Sequence, residues 1–360
     1  MEILFKKYFI KFLIILFWIL TIIGFIYIPE FVKHKFSKRT INIFTWSDIF
    51  DPNFVAQFEV ENNCRLNFNY YESNEELLIK FKTTSGKGYD LIIPSDYAVE
   101  DLRKSGLLKK IDKSKLNFLS NLNPLFLGQY FDPNNEYSVP LEWALYGIGV
   151  DYDQFPNHKL TCGSWDLVFK RKCVPTTIAM VNDPREAIMF AANYLFNKTS
   201  DLSSQELDQI KQLFLKQREF VEAYVEFRAD YLLLTKNCST VVCPSPYIWR
   251  LKTKYKNIDF IIPENGRFFT IENVVLPIDS KEDDLVYKFI NYIFDKNVVA
   301  HHFNSFGFFP CTTDVLDIID IDEQAKKILS MSKEEFAKFK FFKTNVPDYK
   351  IHELWISVKA

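Results

Sequence analysis

Residues 89–97, YDLIIPSDY, limit the fold more than any other stretch. Leu91, Ile92 and Ile93 form an apolar run without polar alternation. That is the pattern of a short strand covered on both faces, as in a parallel sheet with helices on either side. Pro94 cannot donate to a ladder and ends the strand. Ser95, Asp96 and Tyr97 then lie beyond its carboxyl end, where open α/β sheets hold ligands. Residues 41–44 repeat the form and run into Thr45-Trp46-Ser47-Asp48. Two strand ends thus present Trp, Ser, Asp and Tyr side chains, a set suited to a small cation. The same Ser and Asp residues would equally serve as helix caps.

The rest of the chain alternates in type. Apolar spacing predicts helices over 53–61, 73–83 and 99–105, and a strand over 65–71. Ser73 and Glu76 have the spacing of a capping box. This β-α-β-α-β-α order predicts a parallel sheet with right-handed crossovers. Residues 138–150, SVPLEWALYGIGV, read as a strand crossing from one lobe to another, and 268–276 as the return crossing. Further strands are expected at 176–180, 239–242 and 259–262, and helices at 165–169, 187–196, 202–224 and 285–294. The strand at 176–180 runs into Asn182-Asp183-Pro184-Arg185-Glu186. There Pro184 suits a first helical position behind an Asp183 N-cap, and Asp183 can cap with one oxygen while the other faces a cleft. Glu186 reads as a ligand acid or as the N3 partner of a capping box. Glu272 stands alone in an apolar run and needs a partner.

Length and composition bound the class. The 360 residues suffice for two domains, and 48% hydrophobic with 25% charged residues is globular. Residues 1–40 carry seven Lys/Arg and two Asp/Glu, so the remaining 320 carry 37 and 44. An acidic body argues against a nucleic-acid surface and is compatible with a cationic ligand. Lys6, Lys7 and Lys11 precede 17 uncharged residues, 12–28, without a small-x-small cleavage site. This reads as a signal-anchor that leaves 41–360 outside the cytoplasmic membrane, or as a cleaved signal. Lys33, Lys35, Lys38 and Arg39 follow it and do not favour export by the positive-inside count. In an exported chain Cys162–Cys173 and Cys238–Cys243 are near enough in sequence for disulfides, or remain buried thiols. Enzymatic signatures such as G-x-S-x-G, a P-loop or H-E-x-x-H are missing, and no metal or cofactor is called for. His301 and His302 are adjacent on a helix and point in different directions, so they make no metal pair.

In order along the chain, INIFTWSDIF, YYESNEELLIKFKT, YDLIIPSDYAVEDLRKSGLLKKIDKSKL, FDPNNEYSVPLEWALYGIGV, NDPREA and the GFFP turn at Gly307 resemble the periplasmic polyamine-binding proteins, receptors of ABC importers. The resemblance covers residues 41 to 315. It implies an α/β, two-lobe periplasmic-binding-protein fold (type II), each lobe a mixed sheet flanked by helices, with the ligand cleft between lobes. The expected division is 1–40 as signal or anchor, 41–146 plus 271–316 as lobe 1, and 147–270 plus 317–360 as lobe 2. The implied function is capture of putrescine or spermidine and delivery to an ABC permease by a periplasmic monomer. Another small cation (ferric iron, thiamine) or a sensing role is the alternative. By position the resemblance carries over Trp46, Ser47 and Asp48 as one cleft loop, Ser95 and Tyr97 as a second, Asp183 and Glu186 as acids of lobe 2, and Glu272 where the family has an amine-binding aspartate. Each ammonium of such a ligand needs a carboxylate, and its methylenes need apolar or aromatic walls. Ile49, Thr270 and Cys243-Pro244 stand where the family has aromatic walls; Tyr247, Trp249, Phe268 and Phe269 are the residues that could compensate. The extra methylene of Glu272 shortens the space for the amine and favours a small diamine.

Overall fold

Strand ends fall where the sequence places them. β1 (Arg39–Thr45), β2 (Cys64–Tyr70) and β3 (Leu91–Ile92) lie parallel in the order β2-β1-β3. The helices that follow them are α1 (Pro52–Glu61), α2 (Asn74–Thr83) and α3 (Asp96–Lys104). Their starts are set by caps: Asp51 accepts from the Asn53 amide and Ser73 from the Glu76 amide. The carboxylate of Glu76 takes the Glu72 amide rather than closing a box on Ser73. α3 begins three residues earlier than expected, so Asp96 and Tyr97 occupy its first turn. In this computed structural model the described residues are 11, 13–22, 38–47, 49–160, 162–225 and 228–360.

β4 (Ser138–Asp151) is buried along all 14 residues. Its first part pairs antiparallel with β9 (Arg267–Val275), from Ser138↔Val275 to Tyr146↔Phe268. β9 reaches β3 through Val275↔Ile92. The last part of β4 pairs antiparallel with β7 (Thr240–Pro244) and β8 (Ile258–Ile261). β5 (Ile178–Val181) and β6 (Val221–Val225) continue parallel beyond β7. The path β2-β1-β3-β9-β4-β7-β5-β6 is a mixed sheet in which the two expected crossing strands lie side by side. Close approach explains both glycines of the crossing run. A Cβ on Gly147 would meet the Ile261 carbonyl at 2.5 Å, and one on Gly149 the Ile248 side chain at 2.6 Å.

The second half is flanked by α4 (Pro184–Phe196) and α5 (Ser204–Gln217). The helix expected over 202–224 stops at Gln217. The alternating V-E-A-Y-V that follows takes the edge beside β5 instead, as β-branched and aromatic residues favour. One core, around Ile43, Val274 and Phe289, underlies the first half; another, around Ile148, Ile188 and Phe214, underlies the second. A third, through Trp143, Trp249, Phe269 and Phe309, joins them. Each fully buried Leu, Ile or Phe contributes about 1.5–3 kcal/mol.

Cys162 and Cys173 form a disulfide. Cys238 and Cys243 do not, and both are buried thiols. Cys243 lies in β7 and Cys238 just before it, and five extended residues span roughly 16 Å, far beyond disulfide reach. The export segment expected over 1–40 falls largely outside the described residues. Residues 13–22 are helical, and among the described residues no helix is long and apolar enough to cross a membrane.

Candidate functional site

Glu272 is where the strand ends meet. It sits on β9, buried, paired across an antiparallel bridge with Ser95 at the head of α3. Its Oε1 accepts from Ser95 Oγ at 2.8 Å and Thr270 Oγ1 at 3.1 Å; its Oε2 accepts from Trp46 Nε1 at 2.7 Å. Asn74, at the start of α2, holds Ser95 in turn by donating to its hydroxyl at 3.0 Å. Burial pushes the Glu272 carboxyl up to about 8, and the nearby charges of Glu142 and Asp96 add to the rise. The bonds from Ser95 and Trp46 oppose it. Asp96 turns inward: it accepts from Tyr130 and the Ile271 amide, and burial lifts its carboxyl to about 6.

The second half contributes acids from the first turn of α4. Asp183 Oδ1 accepts the Glu186 amide at 2.9 Å, so the cap forms as expected. Its Oδ2 faces the Tyr97 hydroxyl at 3.3 Å. Glu186 is no capping-box partner; its Oε1 accepts a short bond from the Tyr146 hydroxyl. Both acids sit at the N-terminus of a 13-residue helix, whose dipole favours negative charge. Behind them lies Glu75, 3.5 Å from the Tyr97 hydroxyl, with its other oxygen buried and unpaired. Burial and the neighbouring Asp183 push the Glu75 carboxyl up to about 8. The Arg185 guanidinium covers the Tyr97 ring at 4.7 Å and pairs with Asp348 at 2.7 Å.

Between these groups is a cavity of about 80 Å³, lined by Trp46, Ser95, Tyr146, Asp183, Glu186 and Glu272 and walled by Val181, Pro244, Tyr247 and Phe308. It leads to a mouth of about 500 Å³ that shares Ser47, Tyr247 and Phe308.

Six of the eight predicted residues, Trp46, Ser47, Ser95, Asp183, Glu186 and Glu272, line this cavity. Tyr97 was expected as a wall and is not one; it is buried and positions Asp183. Asp48 lies outside the described residues. Of the compensating aromatics, Tyr247 reaches the cleft, while Trp249, Phe268 and Phe269 are committed to the core. Ile49 is buried in the first-half core, and Thr270 bonds the Glu272 carboxylate. Sequence reasoning missed Asn74, Glu75, Tyr146 and Phe308. Tyr146 was hidden in an apolar run. Glu75 carries a signal only in retrospect: Glu76 is taken up at the helix start, which leaves its neighbour to turn inward.

Carboxylates from two halves of one sheet, facing each other across a cavity and joined by a two-stranded ribbon, define a two-lobed solute receptor of the type II periplasmic-binding-protein fold. The chain belongs to the bacterial extracellular solute-binding protein family, whose profile matches residues 53–328. It is 28% identical over 280 residues to the spermidine/putrescine-binding periplasmic protein of Escherichia coli K12, covering 76% of this chain and 78% of that protein. It is 26% identical over 280 residues to a putrescine/cadaverine-binding protein of Pseudomonas aeruginosa, covering 75% and 79%. Its fold is similar to the solved structure of the putative spermidine/putrescine ABC transporter from Listeria monocytogenes, with a TM-score of 0.80 and 24% identity over 89% of this chain and 99% of that one.

Proposed function

We propose that the chain captures a short polyamine in the cleft and delivers it to an ABC-type permease, with no chemistry on the solute. The observation that carries this reading is the pairing of two separate acid groups on one small cavity. Glu272 with Trp46 comes from one side, and Asp183 and Glu186 with Tyr146 from the other. Two ammonium groups would each find a carboxylate, with methylenes between against Tyr247, Val181 and Phe308. The polyamine ligands in the names of the relatives support the same class. The lobe boundaries 41–146 with 271–316 and 147–270 with 317–360 belong to this proposal. Its support is that the first core draws on residues in 41–141 and 274–294, and the second on residues in 146–268 and 342–358. The receptor works as a monomer on the outer side of the cytoplasmic membrane, held there by its N-terminal segment. A disulfide fits that oxidising compartment. Closure excludes water and strengthens each ammonium–carboxylate contact, so the filled receptor populates the closed form that a permease recognises.

Calorimetric titration of residues 38–360, unfolded and refolded to strip carried ligand, tests this with putrescine, spermidine and spermine. Micromolar or tighter binding of one of them is expected. Absence of heat with all three, together with binding of ferric iron or thiamine, would replace the polyamine.

A further inference from the structure

Behind the loop that carries Trp46 lies a second cavity, of about 40 Å³, against α1, α6 (Asp283–Ile293) and α7 (Lys296–Phe306). Its walls include the rings of Phe50, Phe54, Tyr292 and Phe308. Phe308 also faces the cleft, so one ring stands between the two cavities. Glu142 lines the second cavity and is the cross-strand partner of Glu272 in the β4–β9 register. It is only 2% exposed. His302 Nε2 pairs with its Oε2, as His301 pairs with Asp51, the other acid at this cavity. Oε1 of Glu142 is buried and has no hydrogen-bond partner. That unpaired oxygen, in a box of aromatic rings, suits an ammonium on an alkyl chain.

Resting on the polyamine reading above, we propose that this cavity is a second amine subsite, in which an alkylammonium arm passing Phe308 donates to Oε1 of Glu142 while its methylenes lie between the rings. The arm can belong to the ligand in the cleft or to a separate small amine.

Titration of the receptor and its Glu142→Gln and Val298→Trp variants distinguishes these sources. Val298 lines the rim of the second cavity, away from the core, and a larger side chain there fills the space. If one polyamine spans both cavities, each variant weakens spermidine at least tenfold; Val298→Trp leaves putrescine within twofold, and Glu142→Gln weakens spermidine more than putrescine. If the source is a separate amine, n-propylamine binds the wild type at saturating putrescine and fails to bind Glu142→Gln. Equal losses for putrescine and spermidine, or no effect on spermidine and no propylamine binding, would overturn the subsite. A wild type that ignores putrescine refutes the polyamine reading, while propylamine still reports on Glu142. Melting curves show whether a variant has folded, and either variant suffices.

Discussion

The hydroxyl of Tyr97, in the first turn of α3, reaches Oδ2 of Asp183, the N-cap of α4, at 3.3 Å. The two residues come from different halves of the molecule. Asp183 is thereby held from both sides, by its own helix through one oxygen and by the opposite half through the other. Arg185 covers the ring of the same tyrosine. The contact joins the two halves beside the cavity without Tyr97 itself lining it.

Tyr97→Phe removes this bond and keeps the ring. A net hydrogen-bond contribution of about 0.5–1.5 kcal/mol predicts roughly two- to tenfold weaker polyamine binding, with little change in melting temperature. Calorimetry and a thermal melt check it together. A lowered melting temperature at unchanged affinity would assign Tyr97 to the core alone.

Glu272→Gln removes a carboxyl that can ionise against an ammonium and Asp183→Asn removes a carboxylate; both keep shape, and asparagine still caps a helix. Both are expected to bind at least tenfold more weakly than wild type with the fold intact. Unchanged affinity in either variant removes that residue from the site.

The pH dependence follows from Glu272 and Glu75, whose carboxyls are raised from 4.5 to about 8 in the ligand-free protein. Between those values the unfolded chain has released its protons and the folded one has kept them. Stability of the free receptor therefore falls as pH rises through this window and levels off above about 8. A bound ammonium favours the ionised carboxylate, so binding releases protons. Affinity rises with pH toward about 8, by at most tenfold per pH unit for each proton released. Titration at pH 7 in phosphate and in Tris should give different heats; identical heats would show that neither carboxyl changes its protonation.

The Cys162–Cys173 bridge joins residues 11 apart. The loop-closure model gives about 3 kcal/mol for a loop of this size. Replacing both cysteines with serine should lower the melting temperature and leave polyamine affinity within twofold, because neither cysteine lines the cleft. A change in affinity would link that loop to the site.

The sheet and most of the site were legible because strand ends carry local signals. Apolar runs stopped by Pro, Ser or Asp put Trp46, Ser95 and Asp183 at strand ends, and the family resemblance placed them, with Glu272, at a cleft. What was not legible depends on distant partners. Tyr97 has the composition of a wall residue, and only the approach of α4 makes it a positioning residue. The change from helix to strand after Gln217 depends on the free edge of β5, which periodicity within 202–224 does not reveal. The choice among aromatic substitutes was likewise settled by packing. Trp249 packs edge-on against Phe260 and Phe309, and Tyr247, two residues earlier, faces the cleft.

β9 carries Glu272 on the same few residues that pair with β4 to join the halves. On the reading proposed above, a solute bonded to Glu272 would act on the strand pair that joins the halves rather than on a distant loop.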